Sequence, residues 1–309
     1  MAAHRIRIGQ RDIGPDQPPF IIAELSANHN GSLQAALDTI SAAKEAGADA
    51  IKLQTYTADT LTIDCDSPLF TIDGGLWHGQ TLYALYQQAH TPWEWHAELF
   101  AHARQLGLLC FSSPFDSTAI SLLESLDCPA YKIASFELID LPLIRAVAAT
   151  GKPLIMSTGM ANLAEIEEAV AAAKDAGCRE LALLHYISGY PTPIEQANLA
   201  TLQDLGKRFE VVIGLSDHTL GTTAATAACA LGASIIEKHF ILDRSIGGPD
   251  ASFSITPAEL ARLVSDCRDA WLAIGNSGYA RKEAEAANTI FRRSLFFVAD
   301  IRAGEEITP

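Results

Sequence analysis

A chain of 309 residues, 49% hydrophobic and 19% charged, can bury a large core; this excludes a disordered protein and fits one large domain with at most a small appendage. Its formal net charge of −15 argues against nucleic acid as a partner, because a phosphate backbone attracts clustered lysine and arginine, but leaves room for a small anion held by a few buried cations. No apolar run is long enough to predict a membrane span, the polar start MAAHRIRIGQ lacks a signal-peptide core, and six scattered cysteines without a CxxC pair fit the reduced thiols of a cytoplasmic protein.

Residues 1–19 read as an N-terminal β-hairpin or cap. From residue 20 onward, short β-type apolar runs alternate with segments of helical spacing. FIIAEL (20–25) leads into SLQAALDTISAAKEAG, where Leu33, Leu37, Ile40 and Ala43 share one face. AIKLQTY (50–56) is followed by a long excursion, residues 57–90. Its GGLWHGQTLYALYQQAH predicts a short amphipathic helix with Leu82, Leu85 and Tyr86 packing down. Such a loop is either a substrate lid or a packing or interface insertion. Then come LLCFSSP (108–114), AYKIAS (130–135), PLIMSTG (153–159), LALLHYI (181–187), VVIGLSD (211–217) and IIEKHFIL (235–242). Several helical segments close on glycine just before the next run, at Gly47, Gly107, Gly151, Gly177 and Gly232. The last helix starts at Thr256-Pro257 with Glu259 in its first turn.

Eight such βα units predict an α/β protein built as a closed (β/α)8 TIM barrel over residues 20–280. A doubly wound open sheet is the rival, but no GxGxxG follows the first run.

In such barrels the working residues sit at the C-terminal strand ends. Here nearly every run ends in polar chemistry: Glu24, Lys52 and Gln54, Ser112 and Ser113, Lys132 and Ser135, Ser157 and Thr158, His185, Ser216 and His218, Glu237 and His239. Strand positions two apart share a face, so His218 and His239 at the ends of neighbouring runs come within reach of one divalent ion. Two hydrogen-bonded core histidines are the plainer alternative. Lys52 and Lys132 need partners in an apolar setting. Glu24 and Glu137 are available, but a small anion explains more, since Ser113, Ser135, Ser157, Ser188 and Ser216 can all donate to it. No P-loop is present, so a nucleotide is not expected. A Schiff base at Lys132 is a rival reading. Glu24 is either an ion-pair partner or a general acid/base. Tyr190, in GYPTPIE (189–195), either contacts substrate or packs in its loop.

AELSANHNGS, KLQTY, SSPFD, YKIAS, STGM, YPTP, GLSDHT, EKHF and GGPDASFS stand in the order seen in sialic acid synthases, and cover about residues 20–300. The chain therefore resembles that family. The ELSANH wording and the GGLW insertion are similar to its pseudaminic acid synthase branch, with the N-acetylneuraminate and legionaminate branches as alternatives. The resemblance implies condensation of phosphoenolpyruvate with an open-chain N-acetylated amino sugar, in this branch 2,4-diacetamido-2,4,6-trideoxy-L-altrose, giving a nine-carbon 2-keto acid and phosphate. It assigns a metal, usually Mn2+, to His218 and His239. Phosphoenolpyruvate falls to Lys52, Ser113, Lys132, Ser135, Ser157, Ser216 and, where other members carry Asn, Ser188. The sugar falls to Glu24, Gln54, Tyr190 and Asp250. It also implies a homodimer and a small C-terminal antifreeze-like (SAF) domain. FRRSLFFVADIRAGEEITP resembles the entrance to that domain, so residues 281–309 are expected to be a linker and its first strand, through Phe296, Phe297, Val298 and Ile301, truncated there. Weak turnover of the 309-residue form is the corresponding expectation. A Schiff-base aldolase and a non-catalytic sugar-acid binding barrel are the readings from other classes.

Overall fold

The computed structural model describes residues 4–308 and begins with an antiparallel hairpin, β1 (Ile6–Ile8) and β2 (Arg11–Ile13). Eight parallel strands follow: β3 (Phe20–Glu24), β4 (Ala50–Thr55), β5 (Leu109–Pro114), β6 (Tyr131–Ile133), β7 (Leu154–Ser157), β8 (Leu181–Tyr186), β9 (Val212–Asp217) and β10 (Ile235–His239). Each pairs with the next, and β10 returns to β3 to close the barrel. Closure leaves no free edge, and helices cover the outside, so strands such as β3 and β8 are buried on both faces.

The helices are α1 (Leu33–Glu45), α2 (Ala58–Leu61), α3 (Leu82–Ala89), α4 (His96–Gln105), α5 (Ser117–Ser125), α6 (Leu141–Ala148), α7 (Leu163–Asp175), α8 (Thr201–Phe209), α9 (Thr223–Ala230) and α10 (Pro257–Ile274). Local chemistry sets their ends. Asn162 and Glu165 form a reciprocal capping box at the start of α7. Gly177, at φ 99°, ends it in the left-handed region, where a side chain would be strained. On α1 the buried stripe is Ala36, Thr39, Ile40 and Ala43, while the expected Leu33 and Leu37 pack at its margin.

Not every polar strand-end residue serves the mouth. Alternation sends Asp217 and Lys238 to the outer face of β9 and β10, where they pair at 2.8 Å, fully buried. Ser112 turns outward to Thr55, which bonds Nε2 of the buried His96 at 2.8 Å. His185 reaches the carbonyl of Ala197 at 2.8 Å. These three groups are structural.

The excursion between β4 and α4 contains α2 and α3, and in α3 only Leu85 is fully buried, with Leu82 and Tyr86 half-buried. Ahead of α3, Thr71 and Thr81 bridge antiparallel and Ile72 exchanges backbone bonds with Gly79 and Gln80, making a small arm. The barrel unit ends at Ile274. A second unit, 275–309, holds a 3-10 helix at Glu283–Phe291. The stretch from Phe296 to Ile301, expected as a strand, forms none: it has no ladder partner among the described residues, and a strand needs one.

Candidate active site

Strand register gathers the inward-facing ends into one mouth. Glu24 stands beside His239 on one side and Lys52 on the other, Gln54 beside Ser113, and Ser216 between Tyr186 and Glu237. At the centre, charges alternate. Lys52 pairs with Glu24 and lies 3.9 Å from Glu237, which is 3.7 Å from Lys132 and accepts a 2.9 Å bond from Ser216. All four charged side chains are buried. Burial pushes the Glu24 carboxyl up to about 7 against the opposing pull of Lys52. Burial likewise lowers Lys132 to about 8, with Glu237 opposing. For Lys52 burial also acts downward, but Glu237 and Glu24 outweigh it and hold the ammonium above its ordinary value.

The mouth has two unlike halves. On the β4 to β7 side stand Lys52, Ser113, Lys132, Ser135 and Ser157, with Lys52 donating to Ser113 at 3.3 Å. The hydroxyls of Ser135 and Ser157 are buried without a partner, as donors awaiting a ligand would be. Gly159 makes this space: a Cβ there would lie 2.8 Å from Oγ of Ser135 and closer still to Tyr186. Ser188 is half-buried at the rim, 3.4 Å from the Tyr186 hydroxyl.

The β8 to β10 side is a cluster of rings. His218 and His239 are 5.0 Å apart between centroids, Tyr186 stands 4.6 Å from His218, and Tyr190 stands 4.9 Å from it. Phe253 closes the far side, 5.0 Å from His239. Nδ1 of each histidine is buried without a hydrogen bond. Burial holds both imidazoles neutral, lowering His239 to about 4 and His218 well below its ordinary range. Asp250, buried in the loop after β10, lies 3.6 Å from Nδ1 of His239 and accepts from Ser26. Ser26 in turn receives Gln54, which also donates to Glu24 at 2.9 Å.

Two neutral imidazoles with open nitrogens and a nearby carboxylate suit a divalent cation. Among the described residues no three His, Cys, Asp or Glu side chains converge into a ready-made cage, so further positions would fall to water or substrate. The orphaned nitrogens fit such an ion.

Of the residues the family resemblance points to, all but the rim residue Ser188 reach the mouth interior, whereas Ser112 and His185, also expected at the strand ends, turn away from it. Sequence reasoning passed over Tyr186, Ser26, Phe253 and Gly159. Tyr186 was hidden inside the apolar run LALLHYI, although a period of two shared with Leu184 and Ser188 points it inward.

The family model described as NeuB family matches residues 39–279, well over half of the sequence. The chain belongs to the NeuB family. Of its NeuB-type relatives, the pseudaminic acid synthase of Helicobacter pylori is 47% identical over 94% of this chain and 86% of its own. The N,N'-diacetyllegionaminic acid synthase of Campylobacter jejuni is 36% identical over 93% and 86%. The crystal structure of an N-acetylneuraminic acid synthetase from Leptospira borgpetersenii, in complex with citrate, superposes with a TM-score of 0.84 at 32% identity, covering 95% of this chain and 98% of that one.

Proposed function

We propose that this NeuB-family protein is a pseudaminic acid synthase, condensing phosphoenolpyruvate with 2,4-diacetamido-2,4,6-trideoxy-L-altrose to a nine-carbon 2-keto acid and phosphate. The observation that carries the reading is the divided mouth. One half offers ammonium groups and unpartnered hydroxyls to a multiply charged anion, and the other offers two free imidazoles to a metal. Choice of the sugar follows the higher identity to a pseudaminic acid synthase, 47% against 36% for a legionaminic acid synthase.

In this reading Lys52, Ser113, Lys132, Ser135, Ser157, Ser216 and the rim Ser188 hold the phosphate and carboxylate of phosphoenolpyruvate. Glu24, Gln54, Tyr190 and Asp250 hold the sugar. His218 and His239 would hold a divalent ion, which polarises a carbonyl oxygen as a Lewis acid when bound. C3 of phosphoenolpyruvate attacks the aldehyde carbon, and the aldehyde oxygen takes a proton from Glu24, whose raised titration keeps that proton available near neutrality. Positive charge at C2 is met by the buried carboxylate of Glu237. Water adds at C2 and loses a proton to the same carboxylate cluster. The tetrahedral carbon then collapses to the ketone with C–O cleavage, and Lys52 and Lys132 stabilise the departing phosphate.

Mn2+ as the ion, a cytoplasmic homodimer as the working form, and residues 281–309 as the entrance to an antifreeze-like domain complete the reading, on resemblance to the family. Phosphate release from phosphoenolpyruvate, with Mn2+ and either the trideoxy-altrose sugar or N-acetylmannosamine, tests it. Release with the altrose sugar is expected. Release with N-acetylmannosamine alone would move the protein to the neuraminate branch, and none with either would overturn the reading.

A further inference from the structure

The arm between Ile72 and Gln80 places Trp77 at the ring side of the mouth. Its indole stands 5.7 Å from the Tyr190 ring, edge to face, and Tyr190 stands 4.9 Å from His218. Two ring steps therefore lead outward from the imidazoles to Trp77. The one polar atom of the indole, Nε1, is already committed: it donates to the carbonyl of Pro249 at 3.1 Å, immediately before Asp250. The Tyr190 hydroxyl bonds that of Tyr186. Gly74, Gly75 and Gly79, at φ 92°, 72° and 83°, fold the arm so that the indole reaches the barrel side. What Trp77 offers the mouth is therefore ring carbon: its one donor is committed and an indole has no acceptor.

We infer that Trp77 is a specificity-determining residue that favours a methyl over a hydroxymethyl group at the end of the sugar remote from its aldehyde. The inference rests on the proposed reaction. With the anion in the β4 to β7 half, the sugar must lie in the ring half. Its aldehyde sits against His218 and His239, so its tail runs outward past Tyr190 to Trp77. A tail hydroxyl meeting this wall loses water on one side and finds no partner in exchange, whereas a methyl loses nothing. Trp77 is half-buried, so the discrimination is moderate, on the order of tenfold.

The test compares kcat/KM for the trideoxy-altrose sugar and for its 6-hydroxy counterpart, in the wild type, Trp77→Ala and Trp77→Phe. Phosphoenolpyruvate binding and thermal unfolding are followed in each to confirm an intact barrel. The preference for the deoxy sugar should fall about tenfold in W77A and persist in W77F, which keeps the apolar ring. If the wild type shows no turnover of the 6-hydroxy sugar, W77A should show it. An unchanged preference in W77A overturns the inference while leaving the reaction intact. So does a W77F variant as unselective as W77A, because the tether to Pro249 would then be the cause. A wild type inactive on the deoxy sugar defeats the proposed function itself.

Discussion

Gly159 and Tyr186 leave no room between them: a Cβ on the glycine would lie 1.8 Å from Cδ1 of the tyrosine ring. Tyr186 in turn stands 4.6 Å from His218, and Ser135 flanks the same glycine. A single methyl group here would therefore displace parts of both halves of the mouth. Gly159→Ala should destabilise the barrel by about 1–3 kcal/mol through overpacking. It should also raise the KM for phosphoenolpyruvate. Thermal unfolding and steady-state kinetics check this, and an unaltered KM would show that the contact does not shape the anion half.

Replacing either His218 or His239 with alanine should leave the barrel folded, because neither imidazole makes a hydrogen bond through its buried Nδ1. Phosphate release should fall at least about a hundredfold, together with loss of Mn2+ binding measured by calorimetry. Retained activity with retained metal binding in either variant would remove that residue from the ligand set.

Lys132 faces Glu237 at 3.7 Å and, at about 8, titrates below an ordinary lysine because it is buried. Its proposed task is to hold an anion, for which its charge matters and its nucleophilicity does not. Lys132→Met should raise the KM for phosphoenolpyruvate by about tenfold to a hundredfold, the range for losing a charge-assisted hydrogen bond. Borohydride added with a 2-keto acid should trap no covalent adduct on the wild-type protein. A trapped adduct at Lys132, seen by mass spectrometry, would restore the Schiff-base alternative.

Acid stability should depend in part on a histidine packed behind the strand wall, against the outward-facing Thr55. His96 is fully buried; its Nδ1 donates to the carbonyl of Pro92 at 3.1 Å, and its Nε2 meets the Thr55 hydroxyl at 2.8 Å. Burial lowers it to about 4, with that carbonyl opposing. An unfolded chain titrates near ~6.5, so at intermediate pH the unfolded state binds the extra proton. The stabilisation is present in full above about pH 6.5 and is lost as pH falls through the folded value, at most about 3 kcal/mol. His96→Gln should lower the unfolding temperature at pH 7 but flatten its decline between pH 7 and pH 4. His29, also lowered to about 4 by burial, keeps part of the slope in the variant. An equally steep decline in H96Q would assign acid sensitivity elsewhere.

The barrel was legible because each strand-helix unit announces itself locally: an apolar run, a helical stripe and a closing glycine such as Gly177. The charged and imidazole members of the mouth were legible too, since a lysine or histidine ending a buried strand is conspicuous. Less conspicuous was which polar strand-end residue faces which way. Ser112 and Ser113, or Lys238 and His239, are neighbours in sequence, and only the pleat sends one outward and the other in. The ring wall was harder still, because Tyr186, Trp77 and Phe253 come from three separate segments and read individually as ordinary packing. The expected strand through Phe296 failed for the reason local pattern always can: β propensity supplies no partner.

The outward pair of Asp217 and Lys238 has a consequence for how this site could change. Lys238 also donates to the carbonyl of Thr219, just past His218, so the ammonium clamps the end of β9 from behind. The imidazoles in front are thus the two teeth of a jaw whose hinge is welded shut. Loop substitutions can alter what approaches the jaw, but its gape belongs to the barrel wall. Changes at the rim can therefore alter what the mouth admits while the spacing of His218 and His239 stays as the wall sets it.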